Sequence, residues 1–125
     1  MDIFKNKAFH NWTEDYGIAD AILIKAVNEM NTGAFEANLG GNVYKKRISL
    51  GNKGKSGGAR TILAFKMNDK AFFIYAFAKN IQDNISEKEL KALKQLAKVY
   101  FSFSNEELNK AIPEGTLFRV EMQNG

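Results

Sequence analysis

The chain contains no cysteine. That excludes a disulfide framework, thiolate metal sites and a cysteine nucleophile, and it agrees with a reducing cytoplasm. Histidine is almost as scarce, with His10 the one example. A ribonuclease built on a histidine pair and a zinc site built on two histidines are both excluded. No uninterrupted apolar run approaches the roughly 20 residues needed to cross a bilayer. The opening Met1-Asp2-Ile3-Phe4-Lys5 has neither the charged n-region nor the apolar h-region of a signal peptide. A cytoplasmic protein with no membrane partner is therefore expected.

Negative charge is missing from one place in particular. Between Glu36 and Asp69 there is no acidic residue, and there are seven basic ones: Lys45, Lys46, Arg47, Lys53, Lys55, Arg60 and Lys66. The rest of the chain holds eleven basic against fourteen acidic residues, so this segment supplies the whole excess behind the net charge of +4. A field concentrated in that way attracts polyanions, nucleic acid foremost, with a solvated basic face as the plainer alternative. A segment without carboxylates cannot hold Mg²⁺. Asp83, Glu87 and Glu89 are explained by the start of a helix, where negative charge is favourable. No metal and no other cofactor are expected.

What is present suits one compact domain over residues 1–125. Hydrophobic residues make up 45% of the chain, ten of them Phe, enough to form a core. Asp2 to Lys5 reads as a short strand. Phe9, Trp12 and Tyr16 form one helical stripe, and Ile22, Leu23, Ala26, Val27 and Met30 a second, with Gly17 between them. An N-terminal αα-hairpin is expected, stopped near Gly33. Val43 to Leu50 alternates, with Tyr44, Lys46 and Ile48 on one face and Val43, Lys45 and Arg47 on the other. Ala59 to Met67 and Lys70 to Ala78 read as a hairpin turning at Asn68-Asp69, the second run apolar on both faces like a central strand. Ser86-Glu87-Lys88-Glu89 and Ser104-Asn105-Glu106-Glu107 are capping boxes that open two helices, the second bounded by Pro113. Thr116 to Val120 is a candidate edge strand. The fold class is α+β.

The loop Gly51-Asn52-Lys53-Gly54-Lys55-Ser56-Gly57-Gly58 contains Gly-Lys-Ser, but a phosphate-binding P-loop needs a glycine where Ser49 stands and a helix afterwards. A nucleoside triphosphatase is excluded. His10 sits beside Phe9 and Trp12, far from the basic segment, and a place at a helix surface or core edge explains it better than catalysis does. Lys and Arg remain. A lysine crowded by other cations gives up its proton more readily, and an arginine fork suits a phosphate that is gaining charge. On RNA the internal 2′-OH supplies the nucleophile.

The residues Lys45-Lys46-Arg47-Ile48, Gly54-Lys55-Ser56-Gly57-Gly58-Ala59-Arg60-Thr61-Ile62 and Phe72-Phe73-Ile74-Tyr75-Ala76-Phe77-Ala78-Lys79-Asn80 resemble the RelE/HigB toxin superfamily, as does Asn84 to Leu90 after them. The resemblance spans nearly the whole chain. It implies a RelE-like fold: a small, curved, mainly antiparallel sheet with an N-terminal helical hairpin and C-terminal helices. It also implies a metal-independent endoribonuclease that cuts messenger RNA on the ribosome, held inactive by a cognate antitoxin, in this branch often a helix-turn-helix protein. Arg60 matches the family's strand arginine at the scissile phosphate, and Lys79 its basic position after the last long strand. Lys45, Lys46 and Arg47 fall where basic catalytic residues stand, and which of them points inward is left open. The family's C-terminal tyrosine has no clear equivalent, and Tyr75 inside its strand reads first as a core aromatic.

Alternation adds that Lys46 shares a face with apolar residues, an awkward place for a charge. Lys46, Arg60 and Lys79 are expected to converge on one groove, with Lys79 following Phe73, Tyr75 and Phe77 along one strand face. Lys53 and Lys55, with Lys45 and Arg47, would grip the RNA backbone. Two other readings remain: a ParE-like relative that poisons DNA gyrase, and a protein that binds RNA or the ribosome without cutting.

Overall fold

The computed structural model describes residues 1–49, 58–78 and 84–121. Its elements run β1 (Asp2–Asn6), α1 (Lys7–Tyr16), α2 (Asp20–Met30), β2 (Ala37–Gly40), β3 (Val43–Ile48), β4 (Ala59–Lys66), β5 (Lys70–Ala78), α3 (Glu87–Ser102), α4 (Asn105–Glu114) and β6 (Leu117–Arg119). The strands form one open sheet in the order β2-β3-β4-β5-β1-β6. Only β1 and β5 run parallel; the other neighbours are antiparallel.

Helices cover both faces. On one, Phe9, Leu23, Val27 and Met30 of α1 and α2 pack with Ile48, Leu63, Phe65 and Phe73. On the other, Leu93 and Ala97 of α3 and Leu108 and Ala111 of α4 pack with Val43, Ile62, Phe72 and Phe77. Strand β5 lies between β4 and β1 and is apolar on both sides because both sides are buried. Both capping boxes form, Ser86 with Glu89 and Ser104 with Glu107.

The opening strand forms where expected, but four other expectations differ. Helix α1 rests on β1 and β5 while α2 rests on β3, so these helices are held mainly by the sheet and not as a tight αα-hairpin. Gly17, at φ 64°, ends α1 and redirects the chain between them. Pro113 lies inside α4, and the stop is Gly115 at φ 79°, whose N–H caps Ala111 and Ile112. The β4–β5 turn has three residues, Met67 to Asp69, with Asn68 at φ 58°. Finally, β5 does not keep its alternation. Ile62 pairs with Tyr75 but Leu63 with Phe73, which leaves Ile74 as a bulge. The Asn6 side-chain amide donates to the Ile74 carbonyl at 3.2 Å, while its oxygen caps α1 by accepting from the Phe9 N–H at 2.9 Å. The bulge turns Tyr75 and Phe77 toward α3 and leaves Phe73 facing α1 and α2.

Lys5 is buried in β1, its Nζ 3.4 Å from both Asp20 Oδ1 and Thr13 Oγ1. This pair ties β1 to α1 and to the start of α2. An ammonium this deep needs its carboxylate, because an unpaired buried charge costs several kcal/mol.

Candidate active site

Residues opposite one another in an antiparallel pair point to the same face. Arg47 pairs with Arg60, which pairs in turn with Phe77; Lys45 pairs with Ile62, which pairs with Tyr75. Lys45, Arg47 and Arg60 therefore share the α3 side of the sheet at one end, in two rows that continue into Phe77 and Tyr75. The bulge at Ile74 is what brings Tyr75 into that row. Its hydroxyl donates to Glu89 Oε2 at 2.8 Å, at the start of α3.

The carboxylate of this rim comes from just outside the basic segment. Glu36 Oε2 lies 2.7 Å from Arg60 Nε, and Oε1 lies 3.7 Å from Lys45 Nζ. The Glu36 N–H donates to the Lys45 carbonyl at 2.8 Å, which extends the β2–β3 ladder by one bond and fixes where the side chain starts. The Arg60 side chain is 11% exposed and that of Lys45 15%, against 34% for Glu36. The cations are thus held in place while the carboxylate remains open to solvent.

Lys46 is on the other face, with Tyr44 and Ile48. Its Nζ lies 2.9 Å from Glu29 Oε1 and donates to the Ala34 carbonyl at 2.9 Å. The awkward charge is answered by α2 and the turn after it, and the expected convergence of Lys46 with Arg60 does not occur. The Lys46 hydrogen bond holds the Glu29 carboxyl below the usual carboxylate range, opposed by a smaller effect of burial. A cleft of about 510 Å³ opens beside this pair, lined by Lys25, Glu29, Lys46, Arg47, Ser49 and Gly58 among others. Arg47 reaches round the sheet edge to line it. A Cβ on Gly58 would lie 2.8 Å from Arg47 Nε, so the glycine before Ala59-Arg60 makes room for the Arg47 side chain.

Lys53, Lys55 and Lys79 lie outside the described residues. His10 stacks on Phe118 with ring centroids 3.8 Å apart, and its Nε2 is 3.6 Å from Glu14; it lines a cleft with Lys5 and Arg119, apart from the Arg60 rim. Among the described residues, no three His, Cys, Asp or Glu side chains come together as a metal site would require. No helix there is long and apolar enough to cross a membrane.

Sequence reasoning missed Glu36 because it read that residue only as the border of a basic stretch. A family profile described as the RelE toxin of the RelE/RelB toxin–antitoxin system matches residues 1–120. The chain belongs to the RelE toxin family. It is a RelE-like toxin of a toxin–antitoxin system, and a cognate antitoxin is its partner. No curated protein and no solved structure matches the chain significantly.

Proposed function

We propose that this RelE-like toxin is an endoribonuclease that cuts messenger RNA during translation without a metal ion. The observation that carries the reading is the rim in which Arg60, Lys45 and Glu36 meet, with Arg60 Nε 2.7 Å from the carboxylate. An arginine fixed on one side by a carboxylate is pre-organised to meet a phosphate, and needs no rearrangement as charge builds on the phosphorane.

Glu36 takes the base role, for which the basic segment itself had offered only lysine. In this scheme Glu36 accepts the proton of the 2′-OH, and the 2′-oxygen attacks phosphorus. The bond from phosphorus to the 5′-oxygen breaks, and Lys45 protonates the departing oxygen. The products are a 2′,3′-cyclic phosphate and a 5′-OH. Arg47 and Lys79 add positive charge near the scissile bond, and Lys53 and Lys55 grip the backbone on either side. The antitoxin, of helix-turn-helix type in this reading, keeps the protein inactive.

Primer extension on translated transcripts after induced expression tests the proposal. Cut messages ending in a cyclic phosphate, or the 3′-phosphate derived from it, are expected, with cleavage that survives EDTA wherever the assay itself needs no Mg²⁺. Intact transcripts with DNA gyrase trapped on DNA would replace this reading with the ParE-like one.

A further inference from the structure

A second basic site stands at the opposite end of the same sheet face. Lys66, at the end of β4, meets Lys94 and Lys98 of α3 in a cleft of about 440 Å³, completed by Gly41, Asn42, Phe101 and Ser102. No carboxylate lines it. None of the three ammonium groups has a carboxylate or a hydrogen-bonding partner among the described residues. Six residues of strand separate Lys66 from Arg60, about 20 Å at the usual rise. The cleft therefore cannot serve the phosphate that Arg60 holds.

The cleft is built rather than incidental. Gly41 and Asn42, both at φ 63°, turn the chain between β2 and β3. The Lys94 side chain lies across this hairpin, its Nζ 3.2 Å from where a Cβ on Gly40 would stand and its Cδ 3.7 Å from that of Gly41. Lys66 Nζ sits 4.6 Å from the centre of the Phe101 ring, which holds the ammonium without cancelling its charge. Phe101 also packs edge-to-face against Phe72, so with Lys66 over its ring it is engaged on two sides and is a poor platform for a base. Charge without stacking selects backbone over bases.

We propose that Lys66, Lys94 and Lys98 form an exosite for the phosphodiester backbone of RNA, read without regard to sequence. The inference rests on the RNA-directed reading above but not on cleavage. Its two sources share one chemistry: the message itself, or ribosomal RNA beside it.

The test uses the full chain and the triple variant Lys66→Gln/Lys94→Gln/Lys98→Gln, with Lys66→Arg/Lys94→Arg/Lys98→Arg as the charge-preserving control. Binding is measured against salt on two probes: a single-stranded RNA made uncleavable by 2′-O-methylation, and ribosomes without message. Three lost phosphate contacts should flatten the log–log salt dependence by about 2 on whichever probe supplies the backbone. The arginine variant should keep the wild-type slope, and matching thermal unfolding of the two variants would show that charge, not folding, is responsible. Flattening on the oligonucleotide assigns the site to the message, and flattening on ribosomes assigns it to ribosomal RNA. An unchanged slope on both overturns the proposal, as does a loss confined to antitoxin binding, which would make the cleft a dock for an acidic protein segment. Because the probe cannot be cut, a toxin that leaves messages intact would refute the nuclease reading and leave this result standing.

Discussion

The two ends of the α3-covered sheet face carry lysine and arginine in contrasting states. At the β3–β4 rim, Arg60 and Lys45 share Glu36, and behind the sheet Lys46 is bound by Glu29. At the other end Lys66, Lys94 and Lys98 line a cleft without any carboxylate. A paired cation loses long-range field but gains a fixed position; an unpaired one keeps its field and its freedom. Chemistry on a phosphate needs the first property, and capture of a polyanion needs the second. Three cations of the basic segment, Lys45, Lys46 and Arg60, are thus positioned by carboxylates, whereas Lys94 and Lys98 of the lysine cleft sit on a helix outside it.

The largest effect should come from Arg60→Lys, which keeps the charge and removes the planar fork. A fall of about 10²-fold or more in single-turnover cleavage is expected, the scale for losing one pre-organised donor. Glu36→Gln should follow, with a loss of about 10- to 10²-fold in single-turnover rate, since the amide keeps the shape but takes no proton. A rate unchanged by Glu36→Gln would reduce the carboxylate to a partner that positions Arg60, or to neither role if Arg60→Lys were also silent.

Away from both basic regions, Asp20→Asn should destabilise the fold by about 2–3 kcal/mol in urea unfolding, because Lys5 stays buried without its carboxylate. Lys46→Met should cost about 1 kcal/mol, the upper range for a part-exposed pair. Its sign with pH follows from Glu29. A carboxyl held below its usual value stabilises the fold above the unfolded value of 4.5 and loses that stabilisation as pH falls through the lowered one. The difference between wild type and Lys46→Met should therefore be full at pH 7 and shrink in acid to what the Lys46 bond to the Ala34 carbonyl contributes. A large loss of cleavage in Lys46→Met at unchanged stability would instead return Lys46 to the chemistry.

Local pattern made much of this legible. Period-two alternation assigned the faces of β3, and two Ser-x-x-Glu boxes marked the starts of α3 and α4. The β2–β3 hairpin went unread although Gly41-Asn42 is a dipeptide suited to such a turn. The bulge at Ile74 left no local trace, since its carbonyl is claimed by Asn6 from 68 residues away. That bond accompanies the register shift by which Tyr75 joins the row of Lys45 and not that of Phe73. Lys46 was recognised as a charge on an apolar face, but its reason was Glu29, a helix partner that strand alternation cannot reveal. The lysine cleft was hidden for a related cause: summing charge along the chain loses Lys94 and Lys98 in the acidic excess of the residues outside the basic segment, while the fold sets them beside Lys66.

The central claim is that Arg60 acts on the reacting phosphate, beyond merely holding RNA. Single-turnover cleavage of ribosome-bound message by saturating Arg60→Lys tests it most directly. The expected rate is lower by about 10²-fold or more, with affinity nearly that of the wild type. A variant that binds more weakly, yet cuts at the wild-type rate once saturated, would contradict it.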